Sequence, residues 1–318
     1  MSRDGADLAE LVGRARDGQP RAVARLISLV EADSPQLAEL ARLLGTVPSR
    51  AHVVGLTGAP GVGKSTSTSA LIGALRSAGR RVGVLAIDPS SPFSGGALLG
   101  DRIRMTEHAT DPGVFVRSMA SRGQLGGLAA AAPLALRVLE AAGCDVVLLE
   151  TVGVGQSEIE VVGLADTTVV LLAPGMGDGV QAAKAGVLEI ADIFVVNKAD
   201  TADAGTVSRQ LRQLRAMAAP RSDWQPPILH TVATKAEGVA ELVSAIGEHR
   251  DWLADSGELQ RRRAARVRSE IEAIALATVR RRFHQLTGAP ALDGLADRVQ
   301  AGELDPYAAA AELLAGLR

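Results

Sequence analysis

Apolar residues recur at helical spacing from the start of the chain. Leu8, Leu11 and Val12 are followed by Val23, Leu26, Ile27 and Val30, then by Leu37, Leu40 and Leu44. Gly18-Gln19-Pro20 and Asp33-Ser34-Pro35 punctuate the pattern. Residues 1–48 therefore read as a preface of two or three helices. From His52 the pattern changes to short β-branched runs, at 53–57, 82–87, 114–117, 146–150, 168–173, 193–196 and 228–232. Helical windows fall between and after them, at 65–78, 125–142, 180–190, 206–217 and 239–252. Strands that alternate with helices predict βαβ units, hence a mostly parallel sheet with helices on both faces. Residues 49–254 form this α/β domain. Beyond Trp252 the chain is helical to its end. A long charged helix is expected from Glu258 to about Leu286, with Val267, Ile271, Ile274, Ala275 and Val279 on one face. A shorter pair is expected at 292–301 and 307–317. This tail, 255–318, has little apolar surface to fold alone and should pack on a partner subunit or on the domain.

Composition narrows the class. At 318 residues and 47% apolar side chains, the chain can bury a substantial core. A net charge of -2 leaves no electrostatic footprint for nucleic acid or an anionic membrane. Aromatics at 2% argue against a stacking platform for single strands. The single cysteine, Cys144, excludes an internal disulfide and fits a reducing compartment. Asp4, Asp7 and Glu10 interrupt any signal-peptide pattern, and no apolar run is long enough to span a bilayer. The expectation is a soluble cytoplasmic protein. Only four of the 34 Lys and Arg residues are lysine: Lys64, Lys184, Lys198 and Lys235. Each lies in a motif described next, where a compact ammonium suits better than a planar fork.

The first motif is Gly58-Ala59-Pro60-Gly61-Val62-Gly63-Lys64-Ser65, followed by Thr66, after an expected strand and opening an expected helix. That is the setting of a phosphate-binding loop. Its glycines let backbone N–H groups turn toward phosphates, and the helix N-terminus adds partial positive charge. Lys64 should reach the β- and γ-phosphates, and Ser65 should ligate Mg2+. Asn197-Lys198-Ala199-Asp200 follows the run at 193–196. The Asp200 carboxylate can accept from guanine N1–H and the exocyclic amine, a donor pair that adenine lacks. Ala233-Thr234-Lys235 also ends a run, and its backbone N–H groups are candidates for guanine O6. Glu150-Thr151-Val152-Gly153 stands where a strand-end acid serves Mg2+ or its waters and a glycine N–H senses the γ-phosphate. Val154 cannot position an attacking water, so hydrolysis should be slow and should wait for help. Asp88 ends a strand on the same sheet edge, and Asp101 follows among Gly95, Gly96 and Gly100; both are metal-site candidates. Asp178, Gln181 and Lys184 share a helical face after a glycine-rich loop and fit a partner contact, a reach to the nucleotide or a solvated face. The run Arg261-Arg262-Arg263 reads as a solvated face.

Together these segments resemble the GTPases associated with methylmalonyl-CoA mutase, the family of methylmalonic aciduria type A protein, some of whose members were labelled lysine/arginine/ornithine transport kinases. The resemblance rests on residues 58–66 (GAPGVGKST), 87–92 (IDPSSP), 100–105 (GDRIRM), 122–128 (RGQLGGL), 150–158 (ETVGVGQSE) and 178–186 (DGVQAAKAG). It implies a P-loop NTPase of the SIMIBI type that binds GTP and GDP with Mg2+. It implies that Asp88, Asp101 and Glu150 serve the Mg2+ and hydrolysis site, beside the catalytic Lys64 and the metal-ligating Ser65 read from the loop itself. It also implies a homodimer built on the C-terminal helices, and mobile loops around 88–101, 150–156 and 177–184, the last signalling to the mutase. The activity implied is gating of adenosylcobalamin loading onto the mutase, and its protection or rescue. Ala233-Thr234-Lys235 departs from the usual Ser-Ala-Lys. Two other readings stand beside it: a metallochaperone GTPase, which shares the architecture but needs a Cys/His site that the sequence lacks, and a small-molecule or protein kinase, against which the guanine reader and the Gly153 switch argue.

Overall fold

Seven strands form where the short apolar runs lie. The computed structural model describes residues 3–32, 34–45, 50–89, 106–108, 110–121, 127–151, 163–175, 188–217 and 223–315. In chain order the elements are α1 (Arg3–Arg16), α2 (Pro20–Glu31), α3 (Leu37–Leu44), β1 (His52–Thr57), α4 (Lys64–Ser77), β2 (Val82–Pro89), β3 (Val114–Ser121) and α5 (Gly127–Ala141). They continue with β4 (Val146–Thr151), β5 (Thr167–Leu172), β6 (Ile193–Asn197), α6 (Ala204–Met217), β7 (Ile228–Thr231), α7 (Val239–Asp255), α8 (Glu258–Gln300) and α9 (Pro306–Ala315). The strands pair in the order β3-β2-β4-β1-β5-β6-β7, every pair parallel. A parallel sheet must be buried on both faces, and β1, β4, β5 and β6 are buried along their whole lengths.

Alternation of side chains along the strands sorts the core into two layers. Val54, Leu56, Val146 and Leu148 face α4 and α7, against Leu71, Ile72, Leu242 and Ile246. Val53, Val147 and Leu149 face the other way, against α5 and the N-terminal helices through Leu26, Ile27, Leu40 and Leu139. Val170, Leu172, Phe194 and Val196 extend that second layer under α6. The helical preface is thus part of the main core and not an appendage to it.

The tail departs from expectation at one point. α8 does not end near Leu286; it continues through Gly288 and Pro290 to Gln300, so no separate helix begins at 292. A proline costs a helix one hydrogen bond, and flanking turns can carry that loss. By internal contacts the chain divides into two units, Met1–Arg266 and Val267–Arg318. In the second unit Val267, Ile271, Ile274, Leu276 and Val279 are exposed. No helix among the described residues is long and apolar enough to cross a membrane.

Within the first unit the start of α8 is clasped to the sheet edge where the strands begin. Asp166, fully buried just before β5, accepts from the Val53 N–H at 3.0 Å, from Arg263 at 3.0 Å and from Arg266 at 2.7 Å. Burial alone would raise its carboxyl, but Arg266 and Arg263 outweigh burial and hold it below the ordinary range. Asp192 before β6 accepts both nitrogens of Arg262, at 2.8 and 2.9 Å. The expected solvated face therefore shrinks to Arg261, with a side chain 70% exposed. Its two neighbours compensate acids that a helix-period reading of α8 alone could not see. Beneath the clasp the Thr167 hydroxyl lies 2.8 Å from both His52 Nε2 and His249 Nδ1. Burial pushes each histidine down to about 4, against the opposing pull of Asp166 on His52 and of Asp192 on His249.

Candidate functional site

The phosphate loop leaves the carboxyl end of β1, the fourth of the seven strands, and turns into α4. Two positions demand glycine. Gly58 has φ +146° and a Cβ there would collide with the Leu171 carbonyl. Gly63, the residue before α4, has φ +96° and a Cβ would collide with Asn197 Nδ2. Both conformations are disfavoured for other residues. α4 then begins at Lys64 without a side-chain cap, so its first N–H groups and its dipole face the loop. Lys64 is buried, and its Nζ donates to Gly58 O at 2.6 Å and Ala59 O at 3.1 Å. The ammonium is held across the loop, at the place where negative charge would be met.

Strand register brings Glu150 to this loop. Glu150 pairs with Leu56 of β1, two residues before Gly58. It shares the parity of Val146 and Leu148, whose side chains face α4. Its buried carboxylate meets that helix: Ser65 Oγ donates to Oε1 at 2.6 Å and Thr68 Oγ1 donates to Oε2 at 2.9 Å. The Ser65 bond is of the short hydroxyl-to-carboxylate kind, and both bonds are charge-assisted. A serine hydroxyl beside a carboxylate is a set of hard oxygen donors, the type that Mg2+ takes.

The Asn-Lys-x-Asp segment joins the same loop through Asn197. Its Nδ2 donates to Val62 O at 2.8 Å, and its Oδ1 accepts from Thr231 Oγ1 and from the Ala233 N–H, each at 3.1 Å. One buried amide thus ties the phosphate loop, β6 and the turn after β7. Lys198 has φ +57°, a strained value for a residue with a Cβ, and its Nζ reaches Gly61 O at 2.9 Å. Asp200 and Lys235 face each other at 3.3 Å, both about half exposed. In the turn Ala233–Lys235 the Ala233 N–H is donated to Asn197 and the Lys235 N–H to Val232 O at 2.9 Å. Two of the three backbone donors expected for guanine O6 are thereby engaged within the protein.

Lys64, Ser65, Glu150, Asn197, Lys198, Asp200 and residues 233–235 are thus gathered at one end of the sheet. Ala59, Pro60, Gly61 and Val62 form the loop between them, and Thr66 sits in the first turn of α4. Asp88 lies at that end by its backbone, paired in register with Ala120 of β3. Asp101, Gly153 and the segment carrying Asp178, Gln181 and Lys184 lie outside the described residues. Thr68 was not anticipated, because it falls beyond the phosphate-loop motif. Its spacing of three from Ser65 on a helix was the available signal.

Parallel sheet, glycine loop, buried acid and Asn-Lys-x-Asp junction define a P-loop GTPase. Comparison with known proteins narrows the class. A model described as methylmalonyl Co-A mutase-associated GTPase MeaB matches residues 23–287, and the chain belongs to that family. A Pyrococcus abyssi relative is 47% identical over 308 residues, spanning 96% of this chain and 95% of its own. The GTPase ArgK of Escherichia coli is 39% identical over 264 residues, 80% of each chain. The mitochondrial methylmalonic aciduria type A homolog of Caenorhabditis elegans is 39% identical over 215 residues, 66% of this chain and 54% of that protein. The crystal structure of a LAO/AO transport system kinase matches with a TM-score of 0.71 at 29% identity, over 97% of this chain and 96% of the other.

Proposed function

We propose that this GTPase is a cytoplasmic chaperone of methylmalonyl-CoA mutase, gating delivery of adenosylcobalamin and protecting or reactivating the enzyme. The observation that carries this reading is the family match over residues 23–287, which joins a mutase-associated family to a complete phosphate loop and base-reading junction.

The chain's own groups divide the work. Backbone N–H groups of the loop and the start of α4 receive the phosphates, and Lys64 spans the β and γ positions. Ser65 and Glu150 are the described residues that would hold Mg2+, which when bound neutralises charge developing on the phosphates. Asp88 and Asp101 join them by family resemblance, and the Gly153 N–H would sense the γ-phosphate. Asp200 selects guanine, and Thr234 is the remaining backbone donor of its turn for O6. With Val154 after the switch glycine, rapid hydrolysis waits for a partner. The exposed apolar residues of Val267–Arg318 fit the dimer arm that the family resemblance implies.

The test mixes the purified chain with methylmalonyl-CoA mutase and follows GTP turnover beside size-exclusion co-elution. Stimulated turnover and a shared peak are expected. Unchanged turnover together with separate elution would overturn the mutase reading while leaving the GTPase in place.

A further inference from the structure

Thr68 lies one turn into α4, past the residues that make the phosphate loop, and is fully buried. A buried threonine in a helix ordinarily satisfies its hydroxyl on the carbonyl four residues back, and Lys64 O is there at 3.0 Å. Glu150 Oε2 lies closer, at 2.9 Å, and is anionic. A hydroxyl has one proton to give, and the charge-assisted bond is the stronger of the two. The other carboxylate oxygen is taken by Ser65 at 2.6 Å. One helix therefore grips both oxygens of one carboxylate, through hydroxyls three residues apart.

This grip has a consequence for Ser65. The terminal torsion of a glutamate is soft, so a carboxylate held at one oxygen can swing about that bond. Held at both, its plane is set. Ser65 then has its proton directed at Oε1, and its oxygen lone pairs face away from Glu150. A serine oxygen can serve as a metal ligand only with a lone pair presented, so the orientation of Glu150 governs the ligand. We propose that Thr68 is a positioning residue of the nucleotide site, acting through Glu150 to orient the Ser65 hydroxyl toward the magnesium that accompanies the nucleotide. This rests on the reading of Ser65 and Glu150 as the metal-bearing side of the site. It adds a residue that touches neither phosphate nor base.

The neighbouring Ser67 provides an internal control. Its hydroxyl is buried on the same helix with no hydrogen-bond partner among the described residues, so its removal should leave metal dependence alone.

The experiment uses the full chain and a fluorescent GDP analogue, with affinity measured in EDTA and across a Mg2+ titration. Thr68→Val keeps the shape and removes the hydroxyl. It should raise the half-saturating Mg2+ about tenfold or more, the worth of one lost hydrogen bond to a charged group. Affinity in EDTA should stay within about twofold, because the phosphate loop is untouched. Thr68→Ser should restore the parent midpoint, and Ser67→Ala should match the parent. A double-mutant cycle with Glu150→Gln should be non-additive. If the valine variant melts below the assay temperature, Thr68→Ala replaces it under the same thresholds. A midpoint within twofold of the parent overturns the proposal. So does equal weakening with and without Mg2+, failure of serine to rescue, or additivity with Glu150→Gln. In each of these outcomes a parent that binds GDP keeps the GTPase site. A parent that binds no guanine nucleotide overturns the site and this proposal together.

Discussion

Asp200, the proposed reader of the base, presents a half-exposed carboxylate beside the Lys235 ammonium. Each hydrogen bond from guanine to this charged acceptor is worth roughly 1.5–3 kcal/mol. Asp200→Asn turns one acceptor oxygen into a donor, which suits the C2 carbonyl of xanthine and opposes the C2 amine of guanine. GTP affinity should fall roughly tenfold to a hundredfold, with a relative gain for XTP, in a nucleotide competition assay. A variant that keeps the parent's GTP-over-XTP preference would remove Asp200 from the base-reading role. Much at this scale was legible beforehand. Lys64, Ser65, Asn197 and Asp200 sit in contiguous motifs whose chemistry is tied to strand ends. Thr68 was not legible, because its partner Glu150 is 82 residues away and only strand register brings the two together. The engagement of the Ala233 N–H by Asn197 was hidden for the same reason.

Elements were read well wherever their period was clear. All seven strands lie on the expected runs, since a β-branched run with turn residues at each end has few alternatives. The end of α8 differs from expectation, because Gly288 and Pro290 carry a local stop signal that the fold overrides. The clasp at its start has no signature in the helix pattern, because arginines on a helix look alike until buried acids are placed beside them. Asp166 is the keystone of that clasp, fully buried against Arg263 and Arg266. Asp166→Ala leaves those guanidiniums without their counter-charge and frees the Val53 N–H from its acceptor. Loss of one partner of a buried pair costs about 3–5 kcal/mol, to be seen as a lower urea midpoint. A change under about 1 kcal/mol would mean that the clasp is a surface contact of little worth.

For the whole molecule the clasp carries a pH dependence. His52 and His249 are held neutral by burial, each pushed down to about 4 from an ordinary 6.5. Between those values the unfolded chain binds protons that the folded chain refuses, so stability rises with pH through this window. Their contribution is fully present above about 6.5 and is lost as pH falls toward 4. Each histidine adds up to about 1.4 kcal/mol per pH unit to the slope. Denaturant midpoints from pH 7 to pH 4.5 should fall accordingly, and His52→Gln with His249→Gln should flatten the curve. A flat parent curve would show that both histidines titrate normally in the folded chain. Asp166, held low, adds its own loss only as pH drops below the ordinary aspartate range.

The amino-acid sequence by itself determined the class of fold, the phosphate loop and the placing of the Asn-Lys-x-Asp segment. Those depend on short-range order: side-chain period, glycines where φ is positive, and acids at strand ends. Tertiary structure alone decided which distant groups share a proton or a charge. It set Glu150 between Ser65 and Thr68, joined Asn197 to two loops, and spent Arg262 and Arg263 on buried acids. Such pairings follow from strand register and from the low dielectric of the interior, where every polar group must find a partner. No local pattern encodes which partner that is.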